Sequence, residues 1–223
     1  ITGPLKNREA AFSAPPDAGL SWASRVPVSA NASATGILHN TSFYGVPAEW
    51  SAHSIPLEFQ AIDANYSTPA SVWQAVEANR SLAVVDGSVI PGGIAGGFGG
   101  GGFFTFSVKL GQTLYYRNAT GAVHGVKVIG ILYEQFVPGL FVGWDTVASE
   151  FRVPLFGGRS LPIDYPSIFY IKVNPGADAT AVSHDLERTF IQYQMIVIDL
   201  QTLVSQITAV ISGVFSLLEA YLA

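Results

Sequence analysis

The chain has 223 residues, enough for one large domain or two small ones with a real core. Apolar residues reach 49% while charged ones stop at 12%, about half the ordinary share, which excludes a disordered chain. A net charge of −5 with no run of Lys or Arg excludes electrostatic nucleic-acid binding and a polybasic membrane-surface patch.

Residues Ile1–Gly19 are Pro- and Ala-rich without periodicity and read as a loose lead-in. The absence of a starting Met and of a leader suggests a piece of a longer or processed protein. Leu20–Ser29 reads as a strand that Pro27 places at an edge or end. Ser42–Val46 and Leu57–Asp63 are short strands between turn residues. At Ser67–Asn79 the period changes to helical, with Ser67 or Thr68 as cap, Pro69 in the first turn, and Val72, Trp73 and Val76 on the apolar face. Leu82–Val85 is a compact buried strand.

Ile90–Phe104 holds eight glycines, but no Lys-Ser/Thr follows and the next segment alternates like a strand. A phosphate cradle needs a helix N-terminus there, so the stretch reads as an exposed loop carrying Phe98, Phe103 and Phe104 toward a partner or substrate. The segments Phe103–Leu110, Gln112–Asn118 and Ala122–Glu134 suggest an antiparallel meander, with a turn from Asn118 to Gly121. Leu140–Val142 is a further strand, leading into a helix over Asp145–Phe151 with Asp145 as cap. Arg152–Pro166 reads as a loop and Ser167–Val173 as a strand. After a turn ending at Asp178, Ala179–Tyr193 forms a helix with Val182, Leu186, Phe190 and Tyr193 on one face. Met195–Ile198 reads as a last strand.

From Asp199 to Glu219 no charge interrupts the chain. Leu200, Leu203, Ile207, Val210, Val214 and Leu217 mark one face of a helix near the length of a bilayer crossing, though Ser205, Gln206, Thr208, Ser212 and Ser216 are polar for a complete span. It suits either a helix closing a core or one leaving a folded domain toward a membrane.

This element order predicts an α+β fold. Two β-α-β-like units form a core subdomain (1–86 and 167–199), an antiparallel β-rich subdomain is inserted (87–166), and a C-terminal stalk helix (200–223) closes the chain.

Chemistry is sparsely provided. There is no cysteine, hence no disulfide or thiolate site. His39, His53, His124 and His184 have no metal-ligand spacing, no Gly-x-Ser-x-Gly elbow is present, and the carboxylates form no acid–base pair. The expectation is no catalytic residue, no metal and no cofactor. Trp22, Trp50, Trp73 and Trp144 read as core anchors before a ligand groove. Of seven asparagines, five stand in Asn-x-Ser/Thr triplets (Asn31, Asn40, Asn65, Asn79 and Asn118), the acceptor pattern of an N-glycosylated, extracytoplasmic surface.

Five phrases in order, PASVWQAVEANRSLAVVDGSVI, HGVKVIGILYE, GLFVGWDTVASEF, YIKVNPGADATAVSHDLERTF and VSQITAVISGVFSLLEAYLA, resemble the extracytoplasmic, MacB-like periplasmic core domain of FtsX-like ABC-transporter permeases. The resemblance spans Pro69–Ala223, and no invariant catalytic residue belongs to it. It implies a non-catalytic domain held outside the membrane between two transmembrane helices, with residues 200–223 as the stalk into the second. It further implies a cytoplasmic ATPase partner, a permease dimer, and a lipid, peptide or protein cargo. The alternative reading is a secreted or surface-anchored ligand-binding or adhesion module.

Overall fold

The structure is a computed structural model that describes residues 20–53, 57–87, 108–133, 139–154, 160–163, 167–171, 173, 176–193 and 196–199, with 202, 205, 209, 212, 213 and 221 beyond. Among the described residues it is a mixed fold with three delimited α-helices and a many-stranded sheet, and the chain divides into two compact units, Ile1–Lys172 and Val173–Ala223.

In the first unit, β1 (Leu20–Asn31) and β2 (His39–Val46) form a long antiparallel pair. A 3-10 turn (Trp50–His53) and β3 (Phe59–Ile62) lead to α1 (Pro69–Ala78) and β4 (Leu82–Val85). The hairpin of β5 (Thr113–Arg117) and β6 (Val123–Leu132) follows, then β7 (Leu140–Gly143) and α2 (Trp144–Glu150). Two three-residue strands, β8 (Arg152–Pro154) and β9 (Ser160–Pro162), pair with each other, and β10 (Ile168–Ile171) returns to β1.

The main pairings close on themselves. Strand β1 bonds to β2, β2 to β7, β7 to β4, β4 to β6, β6 to β5, and β5 back to β1, with β10 and β3 appended on β1 and β6. The result is a six-stranded barrel, mostly antiparallel but with parallel steps at β2–β7 and β4–β6. Closure removes the open edges that a flat sheet would present.

Strand alternation then sorts the apolar side chains into two buried groups. Val26, Val28, Phe43, Val85, Leu114, Val126, Val128 and Leu140 fill the barrel, joined by Val147 and Phe151 from α2 and its end. Tyr44, Val84, Ile129, Leu132 and Phe141 point outward, where Val72, Trp73 and Val76 of α1, with Trp50, cover them. A register shift on β6 between the partners of Ala83 and Val84 lets Val128 and Ile131 both face inward.

Helix α1 forms as its pattern predicts. Thr68 Oγ1 accepts from Ser71 N and Ser71 Oγ accepts from Thr68 N, each at 3.1 Å, a reciprocal cap, with Pro69 in the first turn. The turn between β5 and β6 is closed by Asn118, and Gly121 adopts φ +86°, which suits glycine.

Several expectations are corrected. Helix α2 is capped at Gly143 without a side-chain bond, and Asp145 lies in its first turn, 3.5 Å from Arg80. A side chain at 143 would meet the carbonyl oxygen of Val76 at 2.7 Å, so close approach to α1 requires glycine at the position before α2. The stretch 152–166 contains β8 and β9, and residues 196–199 form no strand. Residues 108–110 are not extended into a strand, and 103–107 lie outside the described residues. Pro27 sits inside β1, at a point where β1 has a strand partner on one side only among the described residues. Arg25 N points away from β2 to Ser167 Oγ (2.7 Å), and two residues on Pro27 faces the same way, where no ladder donor is needed. Strands β5, β6 and β7 hydrogen-bond directly with β1–β4.

The second unit contains α3 (Ala179–Phe190), a 3-10 turn (Ile191–Tyr193), and helical positions at 202, 205, 209, 212, 213 and 221. Val182 and Leu186 are half-buried and Phe190 is buried, as the periodicity of α3 predicts.

Candidate functional site

The second unit brings two helix starts together. Asp178 caps α3, its Oδ1 accepting from Thr180 N (2.9 Å) and Ala181 N (3.1 Å). Asp199 does the same where the C-terminal helical positions begin, Oδ1 accepting from Thr202 N at 3.2 Å and Oδ2 from Thr202 Oγ1 at 2.7 Å. The same Oδ2 accepts from Thr180 Oγ1 at 3.2 Å, so one carboxylate ties the first turn of α3 to Thr202. Carboxylates here also complement the positive ends of both helix dipoles. The open cleft alongside is lined by Asp178, Thr180, Asp199, Thr202 and Ser205 together with small alanines. Its polar lining among the described residues is hydroxyls and carboxylates.

Leu200, Leu203, Ile207, Val210, Val214 and Leu217, and likewise Phe98, Phe103 and Phe104, lie outside the described side chains. The interleaved positions Thr202, Ser205, Ala209 and Ser212 are helical and exposed. Among the described residues no helix is long and apolar enough to cross a membrane.

In the first unit the polar groups gather at the barrel's surface. At one end Tyr116, buried inside, bonds to Glu150, while His124 Nδ1 stands 3.8 Å from the same carboxylate and its ring stacks on Tyr116 at 5.9 Å. Burial, then the Glu150 carboxylate, holds the Tyr116 phenol well above its ordinary range. Asn118 Nδ2 lies 3.3 Å from His124 Nε2. The cross-strand register Tyr116↔His124 produces this grouping, and Glu150 arrives from α2. Sequence inspection misses it because the signal is only the hairpin register. On the outer wall Lys127 Nζ bonds Asp63 Oδ2 at 2.9 Å, and this bond, with the Asn65 N–H, lowers the Asp63 carboxyl. Glu77 receives Ser51 N (2.6 Å) and Ser51 Oγ (3.2 Å), yet burial still raises its pKa. Near β10, burial raises the phenols of Tyr44 and Tyr170, and Arg25 Nε donates to Ser42 Oγ at 3.1 Å.

The histidines do not converge: His124 joins Glu150, and exposed His184 lies 3.9 Å from Glu187 on α3. Among the described residues no three His, Asp or Glu side chains form a metal-holding group. Trp50 and Trp73 pack edge-on at 5.6 Å in the cluster beneath α1, as core anchors.

The five acceptor asparagines all lie in the first unit, on separate elements. Asn31 ends β1, Asn40 is on β2, Asn65 follows β3, Asn79 ends α1 and Asn118 ends β5.

No protein-family model matches the chain, and no curated protein matches it. Among solved structures, the chain is similar to the periplasmic region of MacB from Actinobacillus actinomycetemcomitans, at 13% identity and a TM-score of 0.45, covering 92% of this chain and 82% of that one. It is also similar to the extracellular domain of the noncanonic ABC-type transporter YknZ from Gram-positive bacteria, at 10% identity and a TM-score of 0.43, covering 85% of this chain and 83% of that one.

Proposed function

We propose that this chain is a non-catalytic extracytoplasmic domain of an ABC-transporter permease, passing movement of membrane helices to a substrate or partner outside the membrane. The observation that carries the reading is the order of the five family-like segments over Pro69–Ala223. Four of those segments coincide with structural units: α1–β4, β6, β7–α2 and β10 through α3. In this reading residues 200–223 are the stalk, and the 1–86 plus 167–199 and 87–166 segments together are the body on which it acts. Asp199 is the joint, because movement of the last helix must be felt by Thr180 through the shared carboxylate. The cytoplasmic ATPase, the dimer and the cargo belong to the same proposal.

The test is purification of the full-length parent from detergent-solubilised host membranes. The account expects an ATP-hydrolysing subunit to co-purify. Ile207→Asp with Val214→Asp should lower that hydrolysis or the association, while circular dichroism of the isolated chain stays unchanged. Unaltered association and hydrolysis in the double variant, or no ATPase with the wild-type parent, would contradict it.

A further inference from the structure

We propose that Asn79 is an N-glycosylation site of the folded domain and that the other four Asn-x-Ser/Thr triplets are not. The inference rests on the extracytoplasmic placement proposed above. In the reaction the Asn side-chain nitrogen attacks the anomeric carbon of a sugar carried on a lipid phosphate. A C–N bond forms as the C–O bond to phosphate breaks, the phosphate leaves with its lipid, and Nδ2 loses one proton to water. The acceptor therefore needs an outward Nδ2 and a triplet that a transferase can reach.

Asn79-Arg80-Ser81 meets both conditions. All three residues are exposed, in the connection between α1 and β4. Asn79 Oδ1 accepts from Ser81 N at 2.9 Å, which fixes the amide with its oxygen turned back to the chain, and Nδ2 makes no hydrogen bond among the described residues. The others each fail on a named contact. Asn31, half-buried, gives its Nδ2 to the Ile37 carbonyl. Asn65 Nδ2 is bonded to Asp63 Oδ1 at 2.8 Å, on the carboxylate that also holds Lys127. Asn118, half-buried, sets its Nδ2 against His124 Nε2. Asn40 is exposed, but Thr41 and Ser42 of its triplet are buried within β2 at 7% and 6% exposure. A sugar on any of these would displace a contact or require a strand to be lifted from the barrel.

Glycopeptide mass spectrometry on the full-length parent purified from its host membranes tests this. The expected result is a sugar mass on Asn79 and unmodified peptides for Asn31, Asn40, Asn65 and Asn118. Ser81→Ala, which leaves Asn79 in place, should remove that mass completely. Bare Asn79, or sugar on any of the other four at equal occupancy, overturns the proposal. Protease added outside intact cells separates the two ways of failing. Bare Asn79 on a chain cut from outside overturns this inference alone, whereas bare Asn79 on a protected chain overturns the extracytoplasmic reading too.

Discussion

The two units hold their shape by different means. Residues 1–172 bury two sets of apolar side chains, one inside the barrel and one beneath α1. In 173–223 the fixed points among the described residues are polar, with Asp178 and Asp199 capping helix starts and Phe190 as the buried apolar side chain. A core of fully buried aromatics resists deformation because each lost ring costs several kcal/mol, whereas a cap contributes about 1 kcal/mol.

The largest break should come from the first unit. Phe141 is fully buried among Tyr44, Trp50, Trp73 and Tyr170, so Phe141→Ala should cost about 3–5 kcal/mol in urea unfolding of the purified chain. Gly143→Ala places a methyl 2.7 Å from the Val76 carbonyl oxygen and should cost about 1–3 kcal/mol by forcing α1 off β7. In the second unit Asp199→Ala should cost about 1 kcal/mol, read as faster hydrogen exchange at Thr202 with the urea midpoint of the barrel unchanged. An equal fall in both units would mean that the contrast between them is false.

The smallest effect sharpens the comparison by pH. Lys127 lowers the Asp63 carboxyl, so its folded value lies below the unfolded one near 3.9. The contribution is therefore present above about pH 4 and lost as pH falls through the folded value. Lys127→Met should lower stability slightly at neutral pH and flatten the acid limb below about pH 4, measured by thermal melts across pH. An acid limb identical to wild type would remove this pair from the account.

Local features were the legible ones. The Thr68-Pro69 start of α1, its Val72, Trp73 and Val76 face, and the Asn118–Gly121 turn each follow from residues a few positions apart. Barrel closure was not legible, since it depends on Ala30 meeting Tyr116, and no short-range pattern encodes that register. The same distance hid the Tyr116–Glu150–His124 grouping and the bond from Thr180 to Asp199. Asp145 misled because capping preference favours aspartate, while close packing at Gly143 decided the helix start instead.

The placement of this domain outside a membrane is the claim on which the functional account stands. It is tested most directly by external protease and alkaline-carbonate extraction on cells of the native host, followed with an antibody to the chain. The account predicts a species well above 23.6 kDa that remains in the carbonate pellet and is clipped from outside. A species released by carbonate, or found in the medium near the mass of the chain itself, would contradict it.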